Sequence, residues 1–528
     1  MTTIGEALIS LLERHGVDTV FGIPGVHTVE LYRGLAGSKI RHITPRHEQG
    51  AAFMADGFAR ASGKPGVAFV ITGPGLTNAI TAVAQARADS VPMLVVSGVN
   101  ATATLGKGFG YLHELPDQRG MMEKVALSST RVESAAELQP AVDRAFALFR
   151  TARPGPVHIE IPLDVMGKPA VSLKPVEMAE PPEPDHAAIV SAARLLAQAV
   201  RPVILAGGGA SRAEAPLRAL AERLDAPVVL TANARGLLHR HPLVVPASPS
   251  LKSVRELIDG ADLALAVGTE FGPTDYDMYA DGGFALPANL VRIDIDAEQL
   301  DRHPADVKVE ADSAAALEAL LAILSDRARP SGTSNGGERA ETCRDAARAE
   351  LARLGPALPS QLEAVEAIRD ALPGALIVGD STQPVYAGNL YYDHDRPGGW
   401  FNAATGYGAL GYGPPAAIGA ALAGPGLPVV CLTGDGGFQF TLPEIAAAVE
   451  SKAGVVFVVW NNRGYREIEV SMRDVGVEPV GVSPAPPDFC LVAEAYGLSY
   501  AKVTNAKELA SSLRAATAQP AMIEYVVP

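Results

Sequence analysis

Apolar and polar residues alternate along this 528-residue chain in two recurring patterns. Short apolar runs such as Val455–Trp460, each followed by a turn, predict the buried strands of parallel sheets. Between the runs lie stretches with apolar residues at helical spacing, for example Ile4–Leu12, which ends just before Gly16. Strands that alternate with helices predict an α/β fold built from crossover units.

The predicted elements group into three domains. Residues 169–185 are rich in Pro and Glu, and residues 326–339 contain Pro, Ser and Gly, so both segments have the composition of linkers. We therefore predict domains at residues 1–168, 186–328 and 345–528, each with a parallel sheet flanked by helices. The third domain is predicted to begin with a helix near residues 344–353. The first and third domains share a strand–turn–helix plan, as distant copies of one unit would.

Composition narrows the class of protein. The formal net charge is −15 and no basic cluster is present, which argues against a nucleic-acid partner. No uncharged apolar run reaches about 18 residues, and the N-terminus lacks a signal sequence, so no membrane association is expected. The three cysteines, Cys343, Cys431 and Cys490, lie far apart and fit neither a metal site nor a disulfide framework. These features predict a cytoplasmic enzyme.

The strongest candidate site lies in the predicted third domain, where a buried strand leads into Gly434-Asp435-Gly436 and the next strand ends at Asn461-Asn462. A strand–helix–strand crossover places these two strand ends side by side, where open α/β sheets bind ligands. The Asp435 carboxylate, the Asn462 amide oxygen and the Gly464 carbonyl suit Mg²⁺ that also binds a phosphate. The alternative is a tight turn with a solvated Asp beside an ordinary loop.

Two further candidate residues lie in the predicted first domain. Glu48 precedes a helix predicted for Gln49–Ala61, where it serves either chemistry or the backbone donors of the first turn. His113 lies in Lys107–Gly120, a glycine- and charge-rich segment that predicts an irregular loop. Loops of this kind concentrate function, although His113 could equally have no role.

These motifs together resemble the thiamine-diphosphate enzymes, which include acetolactate synthases, benzoylformate decarboxylases and pyruvate decarboxylases. The resemblance implies a pyrimidine-binding domain, a central Rossmann-like domain and a diphosphate-binding domain. It also implies active sites between two chains, with a homodimer as the smallest active unit and a homotetramer as the usual form. The motifs that carry it are Phe21–Gly25, Arg46–Ala52, Gly73–Gly75, Gly408–Gly411, Gly434–Gly436 and Asn461–Asn462.

The resemblance assigns roles to individual residues. Thiamine diphosphate would be bound with Mg²⁺, and Glu48 would hydrogen-bond its aminopyrimidine ring. The Gly408 carbonyl would accept a hydrogen bond from the exocyclic nitrogen, and Leu410 would hold the two rings in a bent form. His113 and Glu467 are further candidate catalytic residues. The Mg²⁺ ligands would be Asp435, Asn462 and the Gly464 carbonyl, and the diphosphate cradle would be Thr382, Gly434, Gly436 and Gly437.

The chain departs from each of these enzymes in the residues that decide the reaction. Val26-His27-Thr28 replaces the Gly-Gly-Ala run of acetolactate synthases, and Ala232–Leu237 replaces their central-domain motif, so FAD is doubtful. Val26 and Ile71 replace the serine and histidine of benzoylformate decarboxylase. The paired histidines of pyruvate decarboxylase have at most one counterpart, His113.

The remaining polar candidates are acidic. Several carboxylates near a pocket would suit a cationic substrate tail such as a guanidinium, although a solvated loop face is the alternative. The pattern, which includes Thr274–Asp277, is most similar to 5-guanidino-2-oxopentanoate (2-oxoarginine) decarboxylases. We therefore expect a 2-oxo acid to be converted to an aldehyde and CO₂, with an acetolactate-synthase-like carboligase as the alternative. The acidic candidates are Glu114, Asp117, Glu467 and Glu469.

Overall fold

The structure is a computed structural model that describes residues 2–324, 334–424, 426–516 and 519–527. Within these residues the chain forms three six-stranded sheets, and every strand pair in them is parallel. Each sheet is flanked by helices, which confirms the predicted fold class. None of the described helices is long and apolar enough to cross a membrane.

The first domain contains six strands and seven helices among its described residues. The strands are β1 (Thr19–Gly22), β2 (Arg41–Ile43), β3 (Gly66–Val70), β4 (Met93–Val99), β5 (Ser128–Arg131) and β6 (Pro156–Pro162). The helices are α1 (Ile4–Arg14), α2 (Val29–Leu35), α3 (Glu48–Ser62), α4 (Pro74–Ala88), α5 (Gln118–Val125), α6 (Ala135–Thr151) and α7 (Leu163–Met166). The strand order across the sheet is β2-β1-β3-β4-β6-β5.

The central domain is a second doubly wound sheet. Its strands are β7 (Pro202–Ala206), β8 (Val228–Leu230), β9 (Val244–Val245), β10 (Leu263–Val267), β11 (Leu290–Asp294) and β12 (Val307–Glu310), in the order β12-β11-β10-β7-β8-β9. Its helices are α8 (His186–Gln198), α9 (Glu214–Leu224), α10 (Lys252–Asp259), α11 (Pro273–Tyr276), α12 (Ala297–Asp301) and α13 (Ser313–Leu324). The turn after β7 packs on the turn after β10 so closely that a Cβ on Gly207 would lie 2.2 Å from the Gly268 carbonyl oxygen.

The third domain repeats the plan of the first. Its strands are β13 (Leu376–Gly379), β14 (Trp400–Asn402), β15 (Val429–Gly434), β16 (Val455–Asn461), β17 (Ser499–Val503) and β18 (Ala521–Val526), in the order β14-β13-β15-β16-β18-β17. Its helices are α14 (Gly336–Leu354), α15 (Leu358–Ala371), α16 (Gln383–Leu390), α17 (Gly413–Leu422), α18 (Asp435–Phe440), α19 (Ile445–Ser451), α20 (Arg466–Asp474), α21 (Phe489–Tyr496) and α22 (Ala506–Ala515).

The predicted linker at residues 326–339 is wrong at its C-terminal end, because α14 already begins at Gly336. Asn335 precedes the helix in a left-handed conformation, with φ 48°. A Cβ on Gly336 would lie 1.9 Å from the Asp225 carbonyl oxygen, so this glycine serves close packing on the central domain rather than chain flexibility. Residues 326–333 of the predicted linker lie outside the described residues.

The first and third domains contact each other through equivalent helices, α3 and α17. A Cβ on Gly57 of α3 would lie 1.9 Å from the Ala416 carbonyl oxygen, and a Cβ on Gly419 of α17 would lie 1.9 Å from the Met54 carbonyl oxygen. The two backbones therefore approach each other through one glycine on each helix. Small residues predicted at both helices explain this contact.

Asp89, at the end of α4, connects all three domains. Its carboxylate accepts hydrogen bonds from Arg60 of the first domain (2.9 Å), Asn233 of the central domain (3.4 Å) and Thr405 of the third (2.7 Å). The pair with Arg60 is almost completely buried, since the Asp89 side chain is 1% exposed. One carboxylate thus forms hydrogen bonds with residues of all three domains.

Candidate active site

Asp435 lies where β15 meets α18, and its buried carboxylate lacks a full set of partners. The residue is 1% exposed, and burial raises the pKa of its carboxyl group. Among the described residues, its Oδ2 atom has no hydrogen-bond partner. An unpartnered, buried carboxylate oxygen is costly unless a cation or another donor binds it.

Asn462 and Gly464 follow β16, the strand that pairs with β15, and face Asp435. The Asn462 Oδ1 atom lies 2.8 Å from the Gly464 carbonyl oxygen and 3.1 Å from Asp435 Oδ1. Asn462 Nδ2 points away and donates to Gln383 Oε1 at 2.9 Å. Three oxygens therefore converge from the predicted motif, in an arrangement that fits a hard divalent cation such as Mg²⁺.

This cation site has one acidic ligand only. No three His, Cys, Asp or Glu side chains of the described segments gather as a metal cluster. A Mg²⁺ ion bound by Asp435 and two neutral oxygens would keep coordination positions for other oxygens, such as those of a phosphate. The φ of Gly464 is 145°, and a Cβ there would lie 2.4 Å from the Val482 carbonyl oxygen, so only glycine fits at this position.

The predicted cradle residues Thr382, Gly434, Gly436 and Gly437 surround the start of α18. A Cβ on Gly434 would lie 3.0 Å from the Thr382 hydroxyl oxygen, and a Cβ on Gly436 would lie 2.5 Å from the Tyr465 ring. The missing side chains let the backbone amides of the first turn of α18 face a ligand without obstruction. The cradle and the cation site are therefore continuous.

The loop that contains Gly408 and Leu410 is held from two sides. Asp380 is completely buried and accepts hydrogen bonds from the backbone amides of Gly411 (3.0 Å) and Gly413 (3.2 Å). Burial raises the pKa of Asp380 to about 6. On the other side, Gln85 of α4 accepts a hydrogen bond from the Ala409 amide at 3.2 Å.

Glu48 is the first residue of α3, one residue before the predicted start of that helix. Its Oε2 atom accepts a hydrogen bond from Asn78 at 3.0 Å, and its Oε1 atom lies beside the backbone of Gly75. The two amides that precede it in the chain donate to Glu444 of the third domain, at 2.9 to 3.1 Å. Burial raises the pKa of Glu444 to about 7.

His113 has a neighbour that the sequence did not single out. The rings of His27 and His113 meet edge to face with centroids 5.3 Å apart, and His113 is held at φ 60°. His27 is 7% exposed, and its Nδ1 atom has no partner among the described residues. Burial first, and the neighbouring His113 second, lower the pKa of His27. The proximity of His27 to His113 was not predicted, because it arises where two loops distant in sequence meet.

The first-domain residues form a group of their own. Glu48 and His113 flank opposite ends of the Gly73–Gly75 turn, since Gly75 contacts Glu48 and Gly73 contacts His113. Within the described part of a single chain, no hydrogen bond or ring contact joins this group to Asp435 and Asn462. Glu467, on α20, lies near the cation site instead, where its Oε1 atom accepts a hydrogen bond from Gln383 at 2.8 Å.

Three of the four acidic candidates for substrate binding have other partners. Glu114 accepts hydrogen bonds from three backbone amides of its own loop at 2.8 to 3.0 Å. Asp117 caps α5 through the Gly120 amide at 2.9 Å. Glu469 forms ion pairs with two arginines of α20. Glu114 and Glu469 thus use both carboxylate oxygens, whereas Asp117 and Glu467 each keep one oxygen without a hydrogen-bond partner among the described residues.

Comparisons with known proteins match three segments of the chain to the models of one family. Residues 2–121 match the N-terminal thiamine pyrophosphate binding domain of thiamine pyrophosphate enzymes, residues 189–320 match the central domain, and residues 380–525 match the C-terminal thiamine pyrophosphate binding domain. A Pseudomonas aeruginosa protein named probable 2-ketoarginine decarboxylase is 46% identical, over 98% of this chain and 92% of its own.

Acetolactate synthases are more distant relatives. The large subunit of Parasynechococcus marenigrum acetolactate synthase is 33% identical, over 97% of this chain and 85% of its own. The large subunit of Escherichia coli acetolactate synthase isozyme 1 is 31% identical, over 97% and 91%. Matches of this extent, together with the site residues described above, show that the chain belongs to the thiamine pyrophosphate enzyme family.

Proposed function

We propose that this protein is a thiamine-diphosphate- and Mg²⁺-dependent decarboxylase of a 2-oxo acid that carries a guanidinium tail, such as 5-guanidino-2-oxopentanoate. The observation that carries the choice of substrate is Glu467, which contacts Gln383 beside the candidate cation site and whose Oε2 atom has no hydrogen-bond partner within the described residues. Glu114 and Glu469, in contrast, use both carboxylate oxygens within the chain. A guanidinium forms strong charge-assisted hydrogen bonds with a carboxylate. The name of the Pseudomonas aeruginosa relative, probable 2-ketoarginine decarboxylase, supports the same substrate class.

The first and third domains would have different roles, and the third would bind the cofactor. Asp435, Asn462 and the Gly464 carbonyl would hold Mg²⁺, and Thr382 with Gly434, Gly436 and Gly437 would surround the diphosphate. When bound, thiamine diphosphate supplies a carbon nucleophile and a sink for the electron pair left by CO₂. Gly408 would offer its carbonyl oxygen to the aminopyrimidine, and Leu410 would support the bent form of the cofactor.

Residues of the first domain would transfer protons during the reaction. A carboxylate such as that of Glu48 can share a proton with a ring nitrogen in a site from which water is excluded. The buried imidazole of His27 and its neighbour His113 can hold and release protons close by. Glu467 would orient the substrate through its cationic tail.

A homodimer is the smallest assembly that we propose, with the tetramer usual for the family above it. Within the described residues of one chain no hydrogen bond or ring contact joins the Glu48 group to the Asp435 group, which is consistent with the sites between two chains that the family resemblance implies. Apolar side chains near both groups support such a contact, because Phe109 is 75% exposed, Leu112 is 63% exposed and Phe440 is 55% exposed. A cytoplasmic location fits the three unpaired cysteines.

The test is a panel of 2-oxo acids with purified protein, thiamine diphosphate and Mg²⁺, with release of CO₂ as the readout. We expect kcat/KM for 5-guanidino-2-oxopentanoate to exceed that for pyruvate and phenylpyruvate by at least about tenfold, the value of one charge-assisted hydrogen bond. Formation of acetolactate from pyruvate as the main product would instead establish the carboligase, the activity in the names of the 31–33% identical relatives.

The Glu467→Gln variant tests tail recognition separately from catalysis. We expect kcat/KM for the guanidino acid to fall about 10- to 100-fold, while that for phenylpyruvate changes little. Glu469→Gln is the matched control on the same helix, because Glu469 is already paired with arginines, and it should keep the preference. An equal loss for all substrates would show that Glu467 does not recognise the tail.

A further inference from the structure

The orientation of the Asn462 side chain presents a problem that local hydrogen bonding does not solve. With Asn462 reversed, its amide nitrogen would donate to the Gly464 carbonyl oxygen at 2.8 Å and to Asp435 Oδ1 at 3.1 Å. These three residues alone would therefore favour the reversed orientation. In that orientation the amide nitrogen would stand where a Mg²⁺ ion requires an oxygen.

Gln383, the first residue of α16, decides between the two orientations. Its Oε1 atom lies 2.9 Å from the Asn462 amide and 3.3 Å from the indole nitrogen of Trp460. Its Nε2 atom lies 2.8 Å from the Glu467 carboxylate. An indole N–H only donates and a carboxylate only accepts, so Gln383 cannot turn over without losing both partners.

The neighbours of Gln383 are themselves fixed. Trp460 is 3% exposed and stacks on Tyr525, with ring centroids 4.4 Å apart. The oxygen of Gln383 therefore stays directed at Asn462, and only the amide nitrogen of Asn462 can face it. The Asn462 oxygen must then point at Asp435 and Gly464, although both present oxygens. A divalent cation between the three oxygens removes that repulsion.

We infer that Gln383 is a positioning residue that holds Asn462 in its metal-binding orientation, through a relay that runs from Trp460 and Glu467. This inference rests on the Mg²⁺ site proposed above. It assigns to Gln383 no contact with Mg²⁺, cofactor or substrate. The relay also connects the cation site to Glu467, so one amide side chain contacts both a metal ligand and the proposed tail-binding carboxylate.

The test measures binding of Mn²⁺, a paramagnetic substitute for Mg²⁺, to the full-length protein with saturating thiamine diphosphate by electron paramagnetic resonance. Gln383→Met has a similar side-chain volume but removes the oxygen that accepts a hydrogen bond from the Asn462 amide. We expect Mn²⁺ affinity to fall about 10- to 100-fold, as it does in other proteins when a residue that orients a metal ligand is replaced. Gln383→Glu, combined with Glu467→Gln so that the new carboxylate faces an amide donor, keeps an acceptor toward Asn462. This pair should restore affinity to within about threefold of wild type, a residual within the usual scatter of one hydrogen bond.

A second background separates orientation from a general structural effect. Asn462→Asp places an oxygen toward the metal in either orientation, because both terminal atoms of Asp are oxygens. In this background Gln383→Met should no longer change Mn²⁺ affinity. The inference would be overturned if Gln383→Met lowered Mn²⁺ affinity equally in the wild-type and Asn462→Asp backgrounds. It would also be overturned if the single variant Gln383→Met bound Mn²⁺ as tightly as the wild-type protein. If the wild-type protein itself did not bind Mn²⁺, the proposed metal site would be wrong as well. That result can be distinguished from the two outcomes above, in which the wild-type protein binds Mn²⁺.

Discussion

The first and third domains have the same strand order, yet the carboxyl ends of their sheets present different chemical groups. After β15 and β16 the third domain supplies Asp435 and Asn462, whose oxygens converge at the proposed cation site. After β3, the strand equivalent to β15, the first domain has the turn Gly73-Pro74-Gly75 and no carboxylate. The Glu48 carboxylate there comes instead from the start of α3.

The strand order determines where each domain can bind a ligand, and the individual residues determine which chemical groups are present there. A doubly wound sheet offers ligands the same edge in both domains. In the third domain that edge carries oxygen atoms and glycines, which suit binding of a cation and a phosphate. In the first it carries one carboxylate and two imidazoles, to which we assign proton transfer. Changes in the first domain should therefore affect turnover, and changes in the third should affect cofactor affinity.

The largest effect is expected for Glu48→Gln. An amide cannot share a proton with the cofactor ring as a carboxylate does, so kcat should fall by at least about 1,000-fold. Affinity for thiamine diphosphate, measured by calorimetry in the presence of Mg²⁺, should remain within a few-fold because the third-domain ligands are intact. Glu30→Gln, which alters an exposed ion pair of the same domain, serves as the control. Unchanged turnover in Glu48→Gln would refute the division of roles.

Asp435→Asn should produce the opposite profile. Removal of the one acidic ligand should weaken Mg²⁺-dependent binding of thiamine diphosphate by at least about 100-fold. Mutation of a residue that only orients a metal ligand lowers metal affinity by up to about 100-fold, and loss of the ligand itself should cost at least as much. At saturating cofactor and Mg²⁺, much of kcat should return. The measurement is the cofactor dependence of CO₂ release at several Mg²⁺ concentrations. A variant with normal cofactor affinity and low kcat would contradict this assignment.

A smaller effect is expected where the two domains meet. Gly57→Ala and Gly419→Ala each place a Cβ 1.9 Å from a carbonyl oxygen of the opposite helix. Each should destabilise the protein by about 2 kcal/mol, seen as a lower Tm, because α3 and α17 must separate. The double variant should cost less than the sum, since one separation accommodates both methyl groups. Gly337→Ala on α14, where a Cβ meets nothing within 4 Å, is the matched control and should not lower Tm.

The smallest effect is a pH dependence of stability that arises from Glu444. The folded-state pKa of about 7 lies above the ordinary value of 4.5, so the folded protein binds this proton more tightly than the unfolded chain. The free energy of unfolding should therefore fall as pH rises through that window, by about 1 kcal/mol per pH unit near its middle. Glu444→Gln should remove this component of the slope in denaturant titrations at pH 5, 6 and 7. An unchanged slope would show that Glu444 titrates alike in both states.

The sequence predicted those parts of the fold and site that depend on short segments. Buried strands followed by glycine turns located Asp435 and Asn462 correctly, and the small residues around Glu48 predicted α3 to within one residue. Features that depend on contacts between distant loops were missed. His27 became a candidate only because its ring contacts that of His113, and Gln383 only because it accepts a hydrogen bond from Asn462.

Two features that the sequence did not reveal have the same physical origin. Glu114 was one of several acids considered for a cationic tail, with a solvated loop face as the alternative. It binds backbone amides of a loop whose conformation cannot be deduced from composition. The start of α14 was placed too late because glycines were taken as a sign of flexibility. Gly336 in fact packs against Asp225 of another domain, a partner that no local pattern reveals.

The position of Asp89 has a consequence for how the protein unfolds and how it can be dissected. A carboxylate that is buried where three domains meet keeps Arg60 of its own domain but loses a hydrogen-bond donor when the central or the third domain detaches, and a buried acceptor that loses a donor is destabilising. The hydrophobic cores are also shared, because residues of the first and third domains lie in one cluster and residues of the central and third domains in another. Thermal denaturation should consequently occur as a single cooperative transition, and a fragment cut at either domain boundary would expose core to solvent and aggregate.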